Sequence, residues 1–314
     1  MHLFNHLVKP VLLYSSEVWS YSIFGEKNHI NISTDNFEKL YNTRTSPIEN
    51  ALIKYSKMLL HLQTRSSNLA PYGELGVYPL YIDCIIRTLK YWSFIETKST
   101  NTLLKEALDC DKYLHHNGIH TWYSYVVNIQ KLSGINHNAN YAPTPSDIML
   151  IRNKLKTRYS DHWMESLDNK PTTLKNNKKK LRTYKLFKTQ FNEEKYLNTI
   201  KNKDWKICLT KFRVSAHNLL IETGRHHNIK AEDRICKHCN LNEIEDEKHF
   251  LIECPLYTLL RQKLMQEVNK TYANINLLNA LEQFCWIMSC ETNEIMYSLA
   301  EYIFKAMEVR RSHS

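Results

Sequence analysis

RICKHCNLNEIEDEKHFLIECPLY, residues 234–257, carries the sharpest spacing in the chain. Cys236 and Cys239 form a C-x2-C knuckle, His249 follows after nine residues and Cys254 after four more. Two cysteines three apart bring both sulfurs to one side of a tight turn, and a second ligand pair after a short loop completes a tetrahedral set. Three thiolates and one neutral imidazole suit a zinc ion. A closed set of four leaves no position for substrate, so the expected role is structural, with one ion per chain. The net charge of such a centre is −1, which Arg234 and Lys237 are expected to offset. Asp246 is the expected acceptor for the second ring nitrogen of His249. His238 is a rival ligand, but between the two cysteines its side chain should point away. Pro255 biases Cys254 out of helix and ends the segment there. The competing explanation is chance pairing among eight cysteines and fifteen histidines. A four-ligand set within nineteen residues, with Phe250, Leu251 and Ile252 as a small core between the last two, is much rarer.

Outward from this module the sequence reads as helix. Leu277, Leu278, Leu281, Phe284, Cys285 and Met288 predict one C-terminal helix, and Ile295, Leu299, Ile303 and Met307 predict a second. Upstream, Pro79 opens a helix with Ile82, Ile85, Ile86, Leu89 and Trp92 on one face. Ala51, Leu52, Tyr55, Met58, Leu59 and Leu62 mark another over 50–62. TPSD at 144–147 starts a further helix, with Ser146 or Asp147 as its cap. Residues 25–36 read as a polar loop and 168–182 as an exposed linker. Only 6 Gly and 8 Pro in 314 residues argue against a turn-rich β fold. The expected class is mainly α: a helical bundle-like N-terminal region, a small CCHC zinc-binding module and C-terminal helices.

The composition, 43% apolar and 24% charged, is that of a globular chain without a disorder signature. The first residues, MHLFNHLVKPVLLYSSEVW, make a poor signal peptide, and no stretch has the length of an apolar membrane span. Eight cysteines without a secretory signal point to a reducing, intracellular setting. Cys84, Cys110, Cys208, Cys285 and Cys290 fit core or chance placement. Absent motifs narrow the chemistry further. The chain has no Asp-Asp pair, no Y-x-D-D, no phosphate-binding Gly-rich loop, no H-E-x-x-H and no G-x-S-x-G. Catalysis by this chain alone is not expected.

The net charge of +10 is concentrated. Residues 151–230 hold 20 basic and 7 acidic side chains, while the flanking regions are nearly balanced or acidic. A dense basic stretch attracts polyanions by releasing condensed counterions, although a charge run is often just a solvated helix face. Within it, Tyr184, Phe187, Phe191, Tyr196, Trp205 and Phe212 alternate with lysines. Such aromatics either stack on bases or form the buried side of amphipathic helices. Candidate phosphate contacts are Lys178, Lys179, Lys180, Arg182, Lys185, Lys188, Lys211, Arg213, His217 and Arg225. Arg213 and His217 share a helix face. The alternative is that they pair with Glu222 or backbone carbonyls and orient the finger.

Three blocks carry a resemblance: LVKPVLLYSSEVW at 7–19, SSNLAPYGELGVYPLYIDCIIRTLKYW at 66–92, and LTKFRVSAHNLLIETGRHHN at 209–228 running into 234–257. They resemble the C-terminal region of non-LTR (LINE-type) retrotransposon reverse transcriptases. The resemblance implies a remnant following the polymerase palm at 1–24 and a thumb/connector-like region at 37–167. A basic linker at 168–182, a basic helical region with the zinc module at 183–272 and C-terminal helices at 273–314 complete it. It further implies RNA or DNA as partner, together with the polymerase portion of the same polyprotein, and action in the nucleus. The palm carboxylates that catalysis needs in that family are not in this chain, so polymerase activity is not implied. The spacing also departs from the retroviral nucleocapsid knuckle, so that knuckle's contact rules do not transfer. A helical protein–protein interaction module is the alternative reading, which the acidic run NEIEDE at 242–247 favours because it should repel phosphate.

Overall fold

The computed structural model describes residues 1–24, 46–133, 142–168 and 181–313. Among these the chain is mainly helical, with no strand and two isolated antiparallel bridges, Leu75–Glu193 and Ile235–Ile244. No helix among them is long and apolar enough to cross a membrane. The loop expected at 25–36 and nearly all of the expected linker lie outside the described residues.

The chain divides into two compact units, Met1–Tyr55 with Tyr78–Trp163, and Ser56–Val77 with Met164–Ser314. The first contains α1 (Ser16–Phe24), most of α2 (Pro47–Leu59), α3 (Leu80–Thr97), α4 (Thr102–His116), α5 (Trp122–Ser133) and most of α6 (Pro145–Asp168). Its centre is α3, which begins just after Pro79. Ile82, Ile85, Ile86, Leu89 and Trp92 are all buried, as their helical spacing predicts. Burying a large apolar side chain contributes about 1.5–3 kcal/mol, so each residue of this face adds materially to the unit's stability. Glu49 of α2 is fully buried and accepts from the Tyr81 amide at 2.8 Å. Its carboxylate satisfies one of the open amides at the α3 N-terminus and faces the positive end of the helix dipole. Helix α6 starts with a different cap from the one predicted. Thr144 is the cap residue: its hydroxyl accepts from the Asp147 amide (3.2 Å) while Asp147 accepts from the Thr144 amide (2.9 Å). The reciprocal box moves the cap to Thr144 and leaves Ser146 inside the first turn.

The second unit contains α7 (Lys203–Arg213), α8 (Thr258–Thr271), α9 (Ala280–Ser289) and α10 (Asn293–Ser312). Asn202 caps α7 by accepting from the Asp204 and Trp205 amides, and Asn279 with Glu282 forms a full capping box on α9. Helix α10 is the spine. Ile295, Leu299, Ile303 and Met307 are buried, and α7 and α8 both pack along it. The sequence grouped 37–167 together, whereas residues 56–77 belong to this second unit. They are tied in by Gly76, whose positive φ of 58° lets the chain pass against Glu193, and by the buried carboxylate of Glu74.

Candidate metal centre

The module at 234–257 is built from a pinched loop and one helical turn. Cys236 donates its amide to Glu243 O (2.8 Å) and Glu245 donates to Arg234 O (2.9 Å), closing the loop that carries Cys236 and Cys239. Asn242 turns the loop with a φ of 56°, a conformation asparagine tolerates better than most residues. The returning chain enters a turn, His249–Glu253, in which the Cys254 amide bonds to His249 O at 2.8 Å. This wider i→i+5 turn brings His249 and Cys254 to the same side. Cys254 then leaves helical geometry (ψ 123°) ahead of Pro255, as its position predicts.

The ligand atoms of Cys236, Cys239, His249 and Cys254 lie within 4.8 Å of one another. Cys239 Sγ stands 3.4 Å from His249 Nε2. In a tetrahedral zinc site with standard Zn–S and Zn–N bonds that edge is about 3.6 Å. Cys236, His249 and Cys254 are buried, and Cys239 is half-buried. Burying three sulfurs side by side strains their proton balance. The Cys254 thiol is held low by its hydrogen bond with Cys236, whereas that bond and burial push the Cys236 thiol up to about 12. A bound cation would favour both as thiolates. The donor set therefore fits a metal ion. His238 stands apart, facing Glu245 at 3.8 Å.

Two expectations about the surroundings change. Asp246 does not face the imidazole. Its Oδ1 accepts from the His249 amide at 2.8 Å and so caps the ligand turn. The group opposite His249 Nδ1 is Glu253, with Oε2 at 3.4 Å, because the turn swings residue 253 back over the ring. Arg234 does not offset the sulfurs either. Its guanidinium donates to the carbonyls of Ile221 (2.6 Å) and Ile229 (2.6 and 3.0 Å), which fastens the loop to the preceding segment. Lys237 is exposed.

Groups far away in sequence hold the module in place. Phe250 packs among Phe212, Tyr257 and Tyr302, with ring centroids 4.7–6.1 Å apart. The Tyr302 hydroxyl of α10 donates to Phe250 O (2.7 Å), and Arg261 of α8 donates to Leu251 O and Cys254 O (2.8 and 2.6 Å). Arg310 forms two bonds to Glu245, at 2.6 and 2.9 Å. Glu247 is buried and accepts from His217 (2.9 Å), Arg182 (3.0 Å) and Ser215 (3.1 Å). Burial pushes the Glu247 carboxyl up, but the His217 hydrogen bond and the His217 and Arg182 charges outweigh it and bring it down to about 2. Within the run NEIEDE, Glu245 and Glu247 point inward at cations, while Glu243 is exposed and Asp246 half-buried.

That finding also relocates the candidate phosphate contacts. Lys178, Lys179 and Lys180 lie outside the described residues. Arg182 is spent on Glu247 and Glu222, and Arg225 on Glu222. His217 is buried against Glu247 rather than Glu222. Lys188 is only 2% exposed and bonds to Glu194 and Asn192. Arg213 is buried between Glu74 (3.2 Å) and Glu194 (2.7 Å) and donates to Met288 O. The rings of Phe187 and Tyr196 flank its guanidinium at 4.8 and 5.2 Å, so these two aromatics stack on an internal cation. Moving any of these five groups onto a phosphate would take a partner away from a carboxylate of the fold. Lys185 is exposed and Lys211 half-buried. The sequence reading missed Glu74, Glu194, Glu245, Glu247, Arg261 and Arg310. No local sequence signal marked these residues as partners, because most of these contacts join segments far apart in the chain.

No family model, curated protein or solved structure matches the chain.

Proposed function

We propose that Cys236, Cys239, His249 and Cys254 hold one structural zinc ion. We further propose that the zinc module stabilises a nucleic-acid-binding region of the kind found at the C-terminus of LINE-type reverse transcriptases. The observation that carries the metal reading is the convergence of three sulfurs and one imidazole nitrogen within 4.8 Å. The Cys3His set favours zinc over magnesium or calcium, which take oxygen ligands. When bound, zinc supplies structural cross-linking energy rather than a reactive centre. Glu253 would orient His249 through its free ring nitrogen. Tyr302 and Arg261 fix the backbone on which the ligands sit.

The nucleic-acid reading is supported by the surplus of 13 positive charges in residues 151–230. Five of the ten candidate contacts pair with carboxylates of the fold, and the phosphate role is proposed for the other five, Lys178, Lys179, Lys180, Lys185 and Lys211. The fold also contributes Lys195, Lys201 and Lys203 as exposed cations. Catalysis forms no part of this reading.

The test has two arms on natively purified protein. Metal analysis should find about one zinc per chain; none would end the metal reading. Titration with single-stranded RNA and duplex DNA at several salt concentrations should give affinity falling steeply with salt. Affinity that does not change with salt would end the polyanion reading.

A further inference from the structure

Within the first unit, α3 and α6 run side by side in opposite directions. Tyr78 stacks edgewise on Tyr159 (6.0 Å), Asp83 faces Arg152 (3.6 Å), and Ser93 Oγ donates to Pro143 O (2.9 Å). The outer faces of the two helices border an open groove. Lys90, Phe94 and Lys98, each four residues apart, line one wall, and Ile148, Met149 and Arg152 line the other. Ile148 forms a buried floor, while Phe94 is 47% and Met149 65% exposed. Large apolar side chains left this open beside one another mark an interaction surface more often than chance does.

The charge of the groove is one-sided. No carboxylate lines it among the described residues. The ammonium groups of Lys90 and Lys98 have no hydrogen bond or ion pair with any described residue. Among the described residues Arg152 pairs with Asp83 alone, which Lys9 already engages at 2.7 Å. From Lys90 to Lys98 the wall runs about 12 Å, a little over two helical turns. Two parallel walls of helix with an apolar floor have the shape that a third helix fills, at 8–10 Å axis separations. A nucleic acid strand fits less well: it needs a row of aromatic faces, and here one phenyl ring lies among aliphatic groups.

We propose that this groove receives an acidic amphipathic helix from a partner protein, a role beyond the nucleic-acid reading given above. The partner's apolar residues at i, i+3, i+4 and i+7 pack over Ile148, Met149 and Phe94. Glutamates or aspartates on its flanks meet Lys90, Lys98 and Arg152.

The test uses the full chain and a fluorescein-labelled synthetic helix with leucines at that spacing and glutamates on both flanks, read by anisotropy. Saturable binding is expected, weakened at least about tenfold by Lys90→Glu with Lys98→Glu, and separately by Met149→Glu. A twin peptide with lysines in place of the glutamates should not bind. These are surface positions, so far-ultraviolet circular dichroism of the variants should match the parent. Absence of binding to the parent chain, or affinity in both variants equal to that of the parent, overturns the proposal. So does displacement of the peptide by a single-stranded RNA whose own binding falls in the same variants, which assigns the groove to nucleic acid.

Discussion

The Arg213 guanidinium lies 3.2 Å from the carboxylate of Glu74, although the two are 139 residues apart in sequence. Around this contact gather Glu194, Lys188, and the hydroxyl of Tyr196, which donates to Glu74 at 2.5 Å and also meets Thr210 at 2.8 Å. Burial pushes the Glu74 carboxyl up, against the pull of Arg213. Burial opposes the Arg213 charge, but Glu74 and Glu194 keep it protonated, above the ordinary range. A charged cluster in a core specifies which segments meet more than it adds stability, because desolvation offsets most of the attraction.

Removing one partner is therefore costly. Glu74→Ala should destabilise the second unit by about 3–5 kcal/mol, seen as a lower midpoint in urea denaturation. Replacing Glu74 and Arg213 together by Leu and Met should cost less than the two single changes summed. Additive costs in that double-mutant cycle would show that the pair is not coupled.

Gly76 offers a test of the same junction through the backbone. A Cβ at this position, with φ of 58°, would stand 2.4 Å from Glu193 N and 2.8 Å from Asn192 C. Neither is the end of a flexible side chain. Gly118 has φ of 80° but nothing within 4 Å of a built Cβ. Gly118→Ala should cost only the conformational strain, about 1–2 kcal/mol. Gly76→Ala should cost clearly more, because the clash adds to that strain. Equal midpoints in thermal unfolding would mean that residues 73–77 do not pack against 192–194.

Much of this architecture was legible in the sequence, and the limits have physical causes. The convergence of Cys236, Cys239, His249 and Cys254 was readable because side chains that could share one ion must be closely spaced, here within nineteen residues. Helix α3 was readable because Ile82, Ile85, Ile86, Leu89 and Trp92 repeat with helical period. Lys188, Arg213 and His217 were misplaced because a cation in a helical pattern looks the same whether its face meets water or a buried carboxylate. Only the long-range partner decides, and Glu74 gives no local sign that it is one. Glu253 rather than Asp246 faces His249 Nδ1 because the wide turn at His249 brings residue 253 back towards the ring.

If zinc is held as proposed, its loss should be local in origin but broad in effect. Cys254→Ser removes a fully buried ligand. It should abolish stoichiometric zinc and lower the thermal midpoint of the second unit, as excess chelator does to the parent. Cys285→Ser, outside the cluster, should keep both properties. Glu253→Gln should retain the fold but weaken zinc about 10–100-fold in a competition titration with a chromogenic chelator, since it removes the charge facing His249 Nδ1. If Asp246→Asn weakens zinc and Glu253→Gln does not, the assignment of the second ring nitrogen is wrong.

The basic region divides into cations that hold the fold and cations that face outward, and salt dependence separates them. Neutralising Lys178, Lys179, Lys180, Lys185 and Lys211 should lower the urea midpoint less than loss of Arg213 or Lys188 does, because Lys185 and Lys211 are not buried and charges in contact with water contribute little to stability. The same variant should bind RNA more weakly. On a single strand, its plot of log affinity against log salt should flatten by about 0.7 for each phosphate that is no longer neutralised. Arg213→Met and Lys188→Met should do the opposite, lowering stability while leaving the slope for the folded fraction as it was. The contrast follows from burial: Arg213 and Lys188 already have carboxylates in place of phosphates, and no counterions are released when they stay there. Should Arg213→Met flatten the slope as the lysine variants do, its guanidinium must leave Glu74 and Glu194 when RNA binds, and the division drawn from burial would fail.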